Sequence, residues 1–199
     1  MAEPFIIFTL PRSRSKWLSV FLDVTEEERV GHDTLVDCQS LEEFLLPLAQ
    51  GKLLGTCETG AMVGWRVIRH LLPLARFAVV RRHPDEVIAN FASLGLRVDR
   101  NEIYCKADML DALSSSPGVL TLQFEQLEDP NHVAKLFEFT TGRPFDLPRY
   151  ERLNSIDIQI DMSHRIGRLM MNSERLAKLA REIDMLSQNL TRSSSSGLQ

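Results

Sequence analysis

The chain has 199 residues, 44% of them apolar and 25% charged, which suits one globular domain with a single buried core. Its net charge of −4 argues against bulk nucleic-acid binding, whose footprint is strongly basic. No run approaches the roughly 18 apolar residues of a membrane span, and MAEPFIIF lacks the basic-then-apolar pattern of a signal peptide. Three widely spaced cysteines, Cys38, Cys57 and Cys105, form neither a disulfide framework nor a zinc motif. They read as reduced thiols, so a soluble, cytoplasmic protein is expected, with no membrane or nucleic-acid partner.

In chain order, Phe5, Ile6, Ile7 and Phe8 are an unbroken apolar run, as in a strand buried on both faces. Thr9, Leu10 and Pro11 end it, because proline cannot donate to a strand ladder. Arg12, Ser13, Arg14, Ser15 and Lys16 follow, and Trp17, Leu18, Val20 and Phe21 then recur with helical spacing. A strand, a turn of cations and hydroxyls, and a helix start aim backbone N–H groups at one spot suited to phosphate or sulfate. An ordinary turn with a serine cap would look similar. Val30–Cys38 takes no clear assignment. Ser40 with Glu42 and Glu43 opens a helix that Gly51 closes.

Lys52–Cys57 reads as a second strand with Glu58 at its end, and a helix from Gly60 to Leu72 stops at Pro73. Arg76–Arg81 is a third strand, followed by Arg82 and by Pro84 at the first position of a helix. Further helices are expected over Glu102–Leu113 and from Asp129 through Phe139, with a strand over Gly118–Phe124 between them and Glu125 at that strand's end. Pro144–Ile160 reads as irregular. Residues 164–190 read as one long helix, in which Leu169, Asn172, Leu176, Leu179, Ile183, Leu186 and Leu190 form a heptad stripe. That stripe fits either packing on the parent domain or a homodimer through the C-terminal helix. The expected division is an α/β domain over 1–160, the helix over 161–190 and a disordered serine-rich tail over 191–199.

Strands alternating with helices imply a three-layer α/β sandwich around a parallel sheet of four to five strands. Ligands of such sheets bind beyond the carboxyl ends of the strands. The Pro11–Lys16 loop, Glu58 and Arg82 therefore converge on one edge.

TLPRSRSKWL resembles the 5′-phosphosulfate loop of sulfotransferases that use 3′-phosphoadenosine-5′-phosphosulfate (PAPS), a P-loop NTPase-like fold. Pro11, Arg12, Ser13, Ser15 and Trp17 fit its pattern, while Arg14 stands where glycine is usual and Lys16 where a hydroxyl often stands. FAVVRRHPDEVIANF is similar to the family's 3′-phosphate segment through Arg82 and Pro84, with Asn90 in place of a serine. FEQLEDPNHVAKLFEFTTGRPFD resembles the region beyond the fourth strand, and the three matches occur in the family's order. No Arg-Lys-Gly loop of the kind that covers the nucleotide is visible near the C-terminus. The resemblance implies PAPS as cofactor, no metal, and a small-molecule acceptor with a hydroxyl or amine. Arg12, Ser13, Arg14, Ser15, Lys16, Trp17, Arg82 and Asn90 would bind the nucleotide.

Sulfuryl transfer needs cations on the bridging and leaving oxygens, in-line placement and a base. Arg12 and Lys16 are the expected cations and Glu58 the expected base; His32, His70 and His83 are the alternatives. Two other classes compete. A phosphate-loop kinase or NTPase would use Lys16, but Trp17 stands where a Mg²⁺-binding hydroxyl is wanted and the loop lacks glycine. A non-catalytic nucleotide-binding protein would tolerate Arg14 and Asn90. Val30–Cys38, Gly60–Trp65 and Leu96–Asp108 are the segments available to shape an acceptor pocket.

Overall fold

The computed structural model describes residues 3–24, 29–156, 158 and 173–196. Its centre is β1 (Phe5–Thr9), buried at every position. β1 pairs with β3 (Leu53–Glu58) on one side and β4 (Arg76–Arg81) on the other. Each successive side chain of a strand points to the opposite face. Phe5 and Ile7 therefore enter one apolar cluster, while Ile6 and Phe8 enter a second on the other face. This two-faced burial is why the run is continuous rather than alternating.

β2 (Arg29–His32) and β5 (Val119–Gln123) complete the sheet in the order β2-β3-β1-β4-β5, with every pair parallel. The α/β class and the five-strand parallel sheet are those expected from the sequence. The cluster holding Phe5 and Ile7 takes residues from α1 (Ser15–Leu22), α6 (Pro130–Thr141) and α7 (Leu147–Asn154). The opposite cluster takes them from α2 (Leu41–Ala49), α3 (Trp65–Leu71), α4 (Pro84–Ser93), α5 (Arg100–Ser114) and α8 (Ser173–Ser196). The chain thus forms three layers.

Three segments differ from the sequence reading for identifiable reasons. β2 overlaps the unassigned stretch at Val30–His32 because, as a short edge strand with no fully buried residue, it needs no apolar run. α7 lies inside a stretch read as irregular. It buries only Tyr150, so no stripe marks it, although Asp146 accepts from the Arg149 N–H at 2.9 Å as its cap. α8 continues to Ser196, so 191–196 are helical where disorder was expected. Extending an existing helix costs far less than nucleating one, and serine is only a middling helix former. Residues 164–172 of the expected helix lie outside the described residues.

Leu179 and Ile183 of the heptad stripe are buried in the chain's own core, with Leu176, Leu186 and Leu190 packed beside them. Ile183 passes close to Gly64, where an added Cβ would lie 3.1 Å from the Ile183 Cδ1. A side chain at Gly64 would therefore press on Ile183, which would have to shift by a few tenths of an ångström. A homodimer through α8 would have to use its other faces. Ile183→Ala should destabilise the protein by about 2 to 4 kcal/mol in urea unfolding; unchanged stability would mean that this face does not pack on the domain.

Candidate functional site: an anion cleft at the carboxyl edge of the sheet

The loop after β1 runs from Leu10 to Arg14, and Arg14 caps α1 with φ +59°. Arg12 is also left-handed, at φ +63°. Glycine adopts this region without cost, whereas other residues are strained there by about 1–2 kcal/mol each. Arg14 thus takes a left-handed conformation of the kind that favours glycine. Two tethers offset its strain: the Arg14 Nη2 donates to Asn154 Oδ1 at 2.7 Å, and its guanidinium lies 4.4 Å from the Trp17 ring centre. The Trp17 Nε1 in turn donates to the Leu153 carbonyl at 3.0 Å. The missed helix α7 therefore anchors the loop.

The turn after β4 is stitched to the same loop. The Arg82 Nη1 donates to the Arg12 carbonyl, and the Arg12 Nε donates to Asn90 Oδ1 at 2.7 Å. The Arg82 guanidinium also lies 4.1 Å above the Phe124 ring and meets Glu86 Oε2 at 3.3 Å. Every residue expected to bind the nucleotide, except Ser13, lines one cleft of about 260 Å³ between these two turns. Four cations, Arg12, Arg14, Lys16 and Arg82, therefore face a single space at the start of α1. The first N–H groups of that helix have no partner within it, and its dipole adds positive potential. Ser13 is buried below, and its Oγ has no hydrogen-bond partner among the described residues. Phe124, Ile156 and Ile158 supply apolar wall. Phe124 stands first in FEQL, a stretch that informed only the fold in the sequence; its place beside Arg82 depends on a tertiary contact.

Glu58 does not line this cleft. It is 1% exposed, and its Oε1 accepts from the Thr34 N–H at 2.8 Å, the Thr34 Oγ1 at 2.8 Å and the Thr56 Oγ1 at 2.6 Å. Asp33 makes the reciprocal arrangement: its Oδ1 accepts from the N–H and Oγ1 of Thr59, both at 2.8 Å. Two acid–threonine pairs, Asp33–Thr34 and Glu58–Thr59, thus clasp each other across the ends of β2 and β3. His32 joins the clasp to the start of α1, with Nε2 lying 3.0 Å from Ser15 Oγ and 3.4 Å from Asp33 Oδ2. Sequence reading missed Asp33 and the threonines because their meeting depends on strand order. His70 and His83, the other alternative bases, lie on α3 and at the cap of α4, where the His83 Nδ1 accepts from the Asp85 N–H at 3.3 Å.

Burial, and secondarily the neighbouring Asp33 charge, push the Glu58 carboxyl up from 4.5 to about 7, against the three hydrogen bonds that favour its charged form. The folded chain therefore holds this proton over a pH range in which the unfolded chain has released it. Such a group gives its full relative stability at low pH and loses it as pH rises from about 4.5 through about 7. Urea unfolding of the wild-type chain against Glu58→Gln should show the wild type losing on the order of 2–3 kcal/mol relative to the variant across that window. Parallel pH profiles would mean that Glu58 stays ionised throughout.

By sequence, the chain matches no protein-family model and no curated relative. By structure it is similar to a sulfotransferase domain from the Synechococcus PCC 7002 olefin synthase, with TM-score 0.56 and 15% identity over 79% of this chain and 80% of that one. It is also similar to a sulfotransferase domain from the curacin biosynthetic pathway, with TM-score 0.53 and 14% identity over 79% of each chain. The chain has a sulfotransferase-like fold. In this sulfotransferase-like frame the cationic cleft lies at the carboxyl end of the central strand, where parallel α/β sheets take their ligands.

Proposed function

We propose that the chain is a sulfotransferase that binds PAPS in the cationic cleft. The observation that carries this reading is the convergence of Arg12, Arg14 and Lys16 from one turn with Arg82 and Asn90 from another. A nucleotide with phosphates at both ends of its ribose requires two anion sites on one face. The residues present suit such a ligand: four cations, a helix start, the buried Oγ of Ser13, which has no partner among the described residues, and the flat ring of Phe124. When bound, PAPS supplies the sulfuryl group: its S–O bond to phosphate breaks as the acceptor oxygen or nitrogen forms one to sulfur, leaving adenosine 3′,5′-bisphosphate.

The roles of the chain's own residues follow from their chemistry. Arg12 and Lys16, with the N–H groups of α1, neutralise charge on the phosphosulfate end. Arg82, with its planar fork of donors, takes the 3′-phosphate, and Asn90 donates beside it. Glu58 receives the acceptor's proton; a proton affinity near 7 suits a base working at neutral pH. A non-catalytic nucleotide-binding reading has one observation in its favour, the burial of Glu58 with three bonds already on Oε1. The two readings separate on turnover. Incubation with PAPS and a panel of alcohols, phenols, sugars and amines should give a sulfated product in the absence of Mg²⁺. Bisphosphate binding with no product from any acceptor would favour the non-catalytic reading.

A further inference from the structure

A second cavity, of about 480 Å³, lies between the anion loop and the α4–α5 connection. Pro11 of the loop and Thr59–Gly60, which directly follow Glu58, are part of its lining. The remaining surface is largely aliphatic and aromatic: Phe91, Leu96, Val98, Ile103, Val36 and Leu176. Its size falls within the range of small-molecule sites, about 300–1,000 Å³.

The charged residues around it narrow the occupant. Arg97 and Lys106 are matched in number by Asp99 and Glu102, so the lining is neutral in sum among the described residues. Both acids already have partners: Glu102 pairs with the Lys106 ammonium within the lining, and Asp99 accepts from the Asn101 N–H at 2.8 Å to cap α5. An anionic or cationic acceptor would find no surplus of opposite charge here. A sugar would leave several hydroxyls facing carbon, at a cost of about 1–3 kcal/mol for each left unpaired.

We infer that this cavity is the acceptor site, and that it takes an uncharged alcohol or phenol with an extended apolar body. The reactive hydroxyl would lie toward Pro11 and Thr59, the part of the lining nearest in sequence to both the anion loop and Glu58. The inference rests on the sulfotransferase reading for the word acceptor, and on the cavity itself for the ligand class.

The test is calorimetric titration of the full chain with a homologous series from 1-butanol to 1-octanol, with adenosine 3′,5′-bisphosphate titrated separately. Each added methylene should tighten binding by about fourfold, until the cavity is filled. Leu96→Glu puts a charge into the aliphatic wall and should weaken 1-octanol by about tenfold or more. Leu96→Ala, which is milder, should weaken it by about threefold to tenfold. Both variants should keep wild-type affinity for the bisphosphate, which also reports that they are folded. Absence of a chain-length trend, or octanol binding that survives both substitutions, overturns the pocket while leaving the nucleotide cleft standing. Octanol bound with the expected trend by a chain that never binds the bisphosphate overturns its assignment as an acceptor site.

Discussion

Glu58→Gln is expected to lower turnover by about 10² to 10⁴ while leaving affinity for adenosine 3′,5′-bisphosphate nearly unchanged. Glutamine keeps the shape of the side chain and an oxygen able to accept from Thr34 and Thr56, so the clasp to Asp33–Thr34 should survive. What it removes is the basic oxygen. With the carboxyl pushed to about 7, wild-type turnover should rise with pH through that value and then level, and the variant should lose this limb. The measurement is initial rate against pH for the best acceptor of the panel, with binding followed separately. A variant that turns over normally but unfolds more easily would mark Glu58 as purely structural, and the base would then be sought at His32. The Nε2 of that histidine already lies 3.0 Å from the Oγ of Ser15, the first residue of α1.

The second large effect is expected at Arg82. Its guanidinium braces the loop through the Arg12 carbonyl and sits over Phe124, and it is the proposed partner of the 3′-phosphate. Charge-assisted hydrogen bonds contribute roughly 1.5–3 kcal/mol each, and Arg82→Ala removes two toward the ligand. Affinity for the bisphosphate should therefore fall about a hundredfold or more. Arg82→Lys should recover little, because an ammonium cannot present the parallel pair of donors. The informative control is 5′-AMP, which lacks the 3′-phosphate. Its binding should be only slightly affected by Arg82→Ala. Equal losses for both ligands would mean that Arg82 acts through the loop conformation and not on the 3′-phosphate.

The sheet was legible because its central strands are buried on both faces, a condition that writes itself into the chain as FIIF and FAVV. The edge strand Arg29–His32 and helix α7 were not, since neither buries enough side chains to impose a period. Where the cleft residues lie was legible for the same reason that parallel sheets gather ligands: Arg12, Lys16 and Arg82 all follow central strands. Arg14 stands where the resembled motif has glycine, and only the structure shows that it takes a left-handed conformation there. The burial of Glu58 was hidden. Position at a strand end places the backbone, but the clasp with Asp33 and three threonines requires knowing that β2 lies beside β3. The place of Phe124 was hidden likewise, because it depends on a tertiary contact, whereas Val30–Cys38, Gly60–Trp65 and Leu96–Asp108, the segments named as available for an acceptor pocket, each supply lining of the apolar cavity.

The most direct test of the central claim is calorimetry of the full chain with adenosine 3′,5′-bisphosphate, 5′-AMP and ATP–Mg²⁺. Two anion sites on one cleft predict that the bisphosphate binds at least about a hundredfold more tightly than 5′-AMP, without any requirement for Mg²⁺. Equal binding of the bisphosphate and 5′-AMP, or a preference for ATP–Mg²⁺, would contradict the account.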